Sequence, residues 1–288
     1  MASQLGVVSE MYRYPVKSMQ GERLAEAQAA ADGFPGDRAW AIKDEQRGSI
    51  EGARKIPGLL NCRSRHLEAE VDAAAVPQVE LPDGQKLAAN DPALAEQLSA
   101  LVERPVSLWP RRPASDLAHY QRGPMEADDM MEELRTIFAR LPDEPLPDLA
   151  AFPPEVLTSA TLPGTYFDAS PFFILSRRSL DSMAAAQPKS SFDARRFRPN
   201  ILLETAENDH PYPENEWVGS NIQIGDAVFR VDMECPRCAM TTLAFDDLPK
   251  DPGIMRTLVR ENGGNLGVYA SVVQPGRLRE GDAVIRVD

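Results

Sequence analysis

Apolar and polar positions alternate through much of the chain, and the alternation predicts short strands broken by turns. Residues 5–14 form a first such strand, closed by Pro15, with Val16-Lys17-Ser18 as an ordered turn behind it. Gly33, Pro35 and Gly36 make a turn that feeds a strand over residues 38–42. Residues 79–81 and 85–87 flank Pro82-Asp83-Gly84 as a hairpin, and 106–109 is a short strand. Further on, a buried strand follows the turn that begins at Tyr166. Others start at Ile201, run over 224–232 and return over 268–273. Residues 224–232 and 280–288 are nearly the same text, each a Gly-Asp turn leading into an alternating strand, and shared turn chemistry explains the echo. Helical spacing is rarer. Asp91-Pro92 caps a helix to about Glu103, and residues 126–141 are amphipathic. A capped helix starts at Ser179, and Asp251-Pro252 opens one that Gly263-Gly264 ends. The expectation is an α+β, β-rich fold whose second half has a barrel-like core.

The stretch 110–165 is rich in proline and reads as a long irregular connector around its one helix, which places a boundary between two halves, 1–110 and 111–288. Composition then narrows the class. The chain has 288 residues, a formal net charge of −13 and three cysteines. So acidic a surface repels nucleic acid and anionic membranes, so neither is an expected partner. No apolar run is long enough to span a bilayer, no leader pattern opens the chain, and the cysteines are too few for a disulfide framework. A cytoplasmic protein is expected. Against the acidic background, local basic clusters carry more information.

Those clusters are specific. Lys17 and Ser18 offer an ammonium and a hydroxyl together, suited to phosphate, although an exposed Lys beside a turn Ser reads equally well from the segment alone. Arg38 sits at a strand mouth. Arg54-Lys55 is a second basic pair in a Gly/Pro loop, where it is either solvated surface or part of a basic pocket. Arg195, Arg196 and Arg198 are the densest group, and Pro199 directs Arg198 toward an extended backbone ahead of Asn200. Cys235-Pro-Arg-Cys238 leaves a strand at Pro236. Four readings of these cysteines stay open. They are a buried pair of small hydrophobes, a zinc knuckle that lacks further ligands since His66, His119 and His210 are scattered, a thioredoxin-like redox pair, or one thiolate on a transition metal held mainly by something other than protein. Residues 240–243 look like renewed strand, against the helix that a redox motif opens. Arg237 is expected to favour the Cys238 thiolate.

Tyr14-Pro-Val-Lys17-Ser18, Gly36-Asp-Arg38-Ala-Trp, Arg198-Pro-Asn200, Cys235-Pro-Arg-Cys238 with Thr241-Thr242, and Gly264-Asn-Leu-Gly-Val-Tyr-Ala270 occur in one order along nearly the whole chain. In this the sequence resembles MOSC-domain proteins with their N-terminal β-barrel half, a family that includes the mitochondrial amidoxime-reducing component and the C-terminal domain of molybdenum cofactor sulfurases. The resemblance implies an N-terminal barrel-like half packed on a MOSC barrel with peripheral helices. It also implies an oxidoreductase carrying the molybdenum cofactor, with Cys238 as metal ligand and catalytic residue. Lys17, Ser18, Arg38, Ser170, Arg198 and Asn200 are implied as cofactor contacts, and Arg54 is expected beside them.

An anionic chelate that brings most of its own metal ligands needs a basic cradle and one soft protein ligand, which agrees with this set. No iron–sulfur, flavin, nicotinamide or zinc pattern is evident, so electrons for a small-molecule substrate such as an N-hydroxylated amine or amidine would come from a separate ferredoxin-, flavoprotein- or cytochrome-type protein. Thr241-Thr242 is followed by Leu243-Ala-Phe-Asp246-Asp247 instead of the Asp-Pro-type turn usual in the reductases. Two alternatives remain. One is a sulfur carrier or cofactor-binding module without turnover, which would lack the sulfurases' pyridoxal-phosphate domain. The other is a scaffold without cofactor.

Overall fold

The computed structural model describes residues 3–68, 71–72, 75–205 and 210–287. Seven strands close on themselves in the order Ser3–Arg13, Ile201–Thr205, Phe172–Ser176, Asn265–Gln274, Ala227–Pro236, Asn221–Ile224 and Ala283–Val287, the last pairing back to the first. Closure leaves these seven without a free edge. Only Phe172–Ser176 and Ile201–Thr205 run parallel, and the helices Arg177–Ala186 and Ala194–Phe197 supply the crossover that a parallel pair needs.

The barrel interior follows the period of two. Phe172 and Ile174, Ile201 and Leu203, Ile222 and Ile224, Phe229 and Val231, Val268 and Ala270 all point inward. Their neighbours Phe173, Leu175, Leu202 and Tyr269 point outward into a second cluster covered by helices. The turn at Gly225, φ 57°, links two barrel strands, as the sequence echo suggested; Asp288, which ends the second copy, lies outside the described residues.

The N-terminal half holds two three-stranded sheets, Trp40–Asp44 with Ser49–Glu51 and Val106–Pro110, and Arg63–Arg65 with Gln78–Glu80 and Lys86–Ala88. With the helix Pro92–Leu101 they enclose a core of Val16, Met19, Ile42, Leu59, Val79, Leu94 and Leu98. The fold is therefore β-rich α+β, with a barrel and peripheral helices. The first strand, although it precedes the expected division near residue 110, pairs within the large barrel.

Three local expectations change. The amphipathic stretch narrows to Met130–Phe138, between the N-cap Asp129 and a left-handed Ala139. The helix expected from Ser179 begins at Arg177, with Ser176 capping the Ser179 N–H. Residues 240–243 are not strand: Ala239–Thr242 is a 3-10 turn, because the Thr241 and Thr242 hydroxyls donate back to the carbonyls of Cys238 and Ala239 at 3.1 and 2.7 Å.

One buried carboxylate ties the halves together. Asp37 accepts from the Tyr14 N–H at 2.6 Å and from Asn200 Nδ2 at 2.9 Å, and it pairs with Arg38. Tyr14 directly follows the first barrel strand and Asn200 precedes the second, so Asp37 fixes where the barrel meets the smaller half. Asp37→Ala would leave Arg38 and both donors uncompensated, at an expected cost of about 3–5 kcal/mol in unfolding free energy. Urea denaturation checks this, and an unchanged midpoint would refute the role.

Candidate functional site

The outer flank of the barrel and the N-terminal half enclose a cavity of about 260 Å³. Lys17, Ser18, Arg38, Arg54, Ser170, Arg198, Asn200 and Cys238 all line it. Residues from more than two hundred positions of chain thus meet in one hollow.

The basic side is tightly built. The Lys17 ammonium donates to the Tyr166 carbonyl at 3.0 Å and to Asp168 at 2.5 Å. Ser18 Oγ accepts from the Ala53 N–H at 2.9 Å, which leaves its hydroxyl proton free for a ligand. Arg38 lies over the rings of Tyr14 and Phe167, 4.9 and 5.6 Å from their centroids, and Arg198 covers the same Tyr14 ring at 4.1 Å. Arg198 also donates to the Met19 carbonyl, while its buried Nη2 has no partner among the described residues. Burial pushes its pKa down to about 10, which still leaves it charged at neutral pH. Arg54 forms no ion pair among the described residues. Asn200 is spent on structure: its oxygen accepts from Arg38 and the Phe173 N–H, and its amide bonds Asp37 and the Tyr12 carbonyl. Ser170 likewise donates its proton to the Ala270 carbonyl at 2.8 Å.

Arg198 departs from the extended backbone that Pro199 suggested. Its φ and ψ are 59° and 53°, in the left-handed region, because it ends the helix Ala194–Phe197 and its N–H bonds the Ala194 carbonyl. Six described non-glycine residues have positive φ, and three of them are Ser18, Arg38 and Arg198. Backbone strain gathered on one cavity wall is a mark of a functional site. The three neighbouring arginines separate. Arg195 pairs outward with Asp193 and Asp247, whereas buried Arg196 donates to the carbonyls of Thr241, Leu243 and Pro249 and so holds the loop after Cys238.

The cysteines separate too. Cys235 is fully buried in the outer cluster. Arg237, expected to face Cys238, instead places Nη1 2.8 Å from Cys235 Sγ and stacks on Phe173 at 4.4 Å. Burial pushes the Cys235 thiol up, against the pull of Arg237 and Tyr269. Of the three cysteines, Cys238 alone lines the cavity, and it is half-buried. The buried-hydrophobe reading thus describes Cys235 and not Cys238, which is half-buried on the cavity wall.

Several site residues carried no assignment from sequence. Asp168 is reached from the cavity. Desolvation there would raise its carboxyl, but the Lys17 ammonium, with Arg38 and Arg198, overrides that and holds it near 2. Tyr14 and Asp37 position the arginines. The Tyr-Pro and Gly-Asp-Arg spacing flagged both neighbourhoods, but nothing in it revealed a shared ring or carboxylate.

A closed barrel bearing a basic hollow and one accessible sulfur defines a class before any comparison. Residues 5–103 match the MOSC N-terminal beta barrel domain and residues 162–285 the MOSC domain. The chain belongs to the MOSC-domain family. It is 26% identical to mitochondrial amidoxime-reducing component 1 of Mus musculus, over 98% of this chain and 82% of that protein. It is 31% identical to the molybdenum cofactor sulfurase of Drosophila mojavensis over 35% of this chain and 12% of that protein. Among solved structures, the YuaD protein of Bacillus subtilis is 11% identical, covers 100% of both chains and has a TM-score of 0.45.

Thiol accessibility gives a direct check. Burial raises Cys62 to about 12 and raises Cys235 as well, so both stay as protected thiols at mildly alkaline pH. In cofactor-free protein, brief iodoacetamide treatment is expected to label Cys238 first and alone, as peptide mass mapping would read. Equal labelling of Cys235 would contradict this arrangement.

Proposed function

We propose that this protein binds a molybdopterin-type cofactor in the basic cavity and reduces N-hydroxylated organic compounds, with electrons from a separate donor protein. One observation carries the reading: the one cysteine on the cavity lining, Cys238, shares it with Lys17, Ser18, Arg38 and Arg198. The residues present fit such a group, because Arg198 Nη2 is a buried donor without a partner among the described residues and Cys238 would be a single soft ligand. Lys17, Ser18, Arg38, Arg54 and Arg198 would hold the phosphate and pterin, and Cys238 the metal. When bound, such a cofactor supplies a two-electron metal centre that accepts oxygen from nitrogen. Overall, R–NHOH, two electrons and two protons give R–NH2 and water. Asn200 and Asp37 position the arginines, and Arg196 with the threonine turn fixes Cys238. The similarity to amidoxime-reducing components supports the reductase reading. No helix among the described residues is long and apolar enough to cross a membrane.

Elemental and pterin analysis after expression in a cofactor-producing host tests the proposal. Wild type is expected to carry molybdenum and to reduce N-hydroxylated substrate with a chemical electron donor, whereas Cys238→Ala loses at least about a hundredfold in turnover. Wild-type protein without molybdenum would end the reading. A second reading, sulfur carriage on Cys238, draws on the sulfurase similarity, and a persulfide there without any turnover would select it.

Asp168 provides a separate check. It is the anion paired with Lys17, so a phosphate on that ammonium must displace it. Asp168→Asn is expected to tighten inorganic phosphate binding to cofactor-free protein severalfold, as calorimetry would read. The depressed pKa keeps the carboxylate ionised until pH approaches about 2, so the ratio between variant and wild type should be the same at about pH 4 and about pH 5, where phosphate stays a monoanion.

A further inference from the structure

The cavity has a second character opposite its basic wall. On the helix Met130–Phe138, Met130, Leu134, Ile137 and Phe138 fall on one face, and all four line the cavity. Such a stripe ordinarily packs against protein. Here it borders a hollow, and the helix abuts the turn Ala239–Thr242 that directly follows Cys238. Met240 from that turn and Met125 from the preceding loop extend the apolar wall.

The stripe also carries one carboxylate, Glu133, which lines the cavity with it. Glu133 accepts from the Glu126 and Ala127 N–H groups at 3.2 and 3.3 Å, so its carboxylate anchors the loop that carries Met125. Met125 and Met130 nevertheless stay 47% and 45% exposed. Apolar surface held open beside a reactive sulfur is stabilised when an apolar ligand group covers it. Apart from Met240, this wall comes from residues 125–138, which lie between the two stretches that match the family domains, 5–103 and 162–285.

We propose that this wall is the substrate subsite, and that it takes the alkyl or aryl substituent of an organic N-hydroxylated molecule whose hydroxylated nitrogen lies toward Cys238. The identity of the reacting group rests on the function proposed above; the apolar preference rests on the wall. Thioethers are unbranched and adaptable, so the subsite suits substituents of varied shape and gives little hold to a small polar molecule such as hydroxylamine itself. Met125 and Met130 are specificity residues in this assignment, since they touch the substituent and not the reacting atoms.

Calorimetry on the purified, unreduced protein tests this with a series of N-alkylhydroxylamines from methyl to hexyl. Affinity is expected to rise about three- to fourfold per methylene. Met130→Glu and Met125→Glu, both at exposed positions, should weaken hexyl binding at least about tenfold and leave methyl binding unchanged. Met130→Ala, which adds no charge, should weaken hexyl binding severalfold and guards against a misfolded Glu variant. Affinity independent of chain length in wild type, or hexyl binding unaltered in all three variants, would overturn the proposal. Because binding is read without turnover, the two readings fail separately. Protein that holds the hexyl compound but reduces nothing keeps the wall and loses the reductase. Protein that reduces every member with one KM and one affinity keeps the reductase and loses the wall.

Discussion

A carboxylate sealed from water must find donors within the protein, and Asp37 finds them on three separate segments. The end of the first barrel strand, the residue after Asp37 itself and the residue ahead of Ile201 can satisfy it together in only one arrangement. That arrangement forms the floor of the cavity. It brings Arg38 and Arg198 over the same face-bearing ring, Tyr14, at 4.9 and 4.1 Å. Two like charges so close repel each other, and a hydroxyphenyl ring offsets only part of this. The hollow is thereby prepared for an anion before any arrives. Asp168 answers part of that charge from the cavity wall, and Arg198 Nη2 has no partner among the described residues.

Positive φ at Ser18, Arg38 and Arg198 belongs to the same design. Each such residue costs on the order of 1 kcal/mol or more. They hold because their neighbours leave no alternative: a closed barrel on one side, the core around Val16 and Met19 on the other, and hydrogen bonds to Ala53, Asp37 and Met19 in between. Rigid placement of this kind keeps long cationic side chains from relaxing into solvent. It suits recognition of a ligand of fixed shape.

The two cysteines illustrate how three residues of separation can divide labour. Cys235 faces the helix-covered cluster, with Arg237 as its partner, so that guanidinium is consumed in packing against Phe173 and Phe197. Beyond Pro236 the backbone leaves the ladder, and Cys238 emerges on the far side. Its turn is clamped by Arg196 through three carbonyls. The cavity that results is polar at one wall and apolar at another, with the sulfur on the same lining.

The strands, their turns and the family-like motifs were legible in the chain because they are local. Period-two alternation, glycine turns and Asp-Pro caps act within a few residues, and their positions survive folding. The eight candidate residues line one cavity, and they could be singled out because each sits in a short motif at a break in regular structure. What local pattern could not carry is partnership. Arg237 next to Cys238 in sequence bonds Cys235 in space. Arg198 before a proline turns left-handed because it also ends a helix, and Thr241-Thr242 forms a turn because its hydroxyls bond backward. The amphipathic period of Met130–Phe138 was plain, but only the packed chain decided that its apolar face borders a hollow. The sequence by itself determined which groups are available and where the backbone bends. The tertiary structure decided which of them meet, because burial, charge pairing and hydrogen-bond satisfaction are settled between segments more than two hundred residues apart.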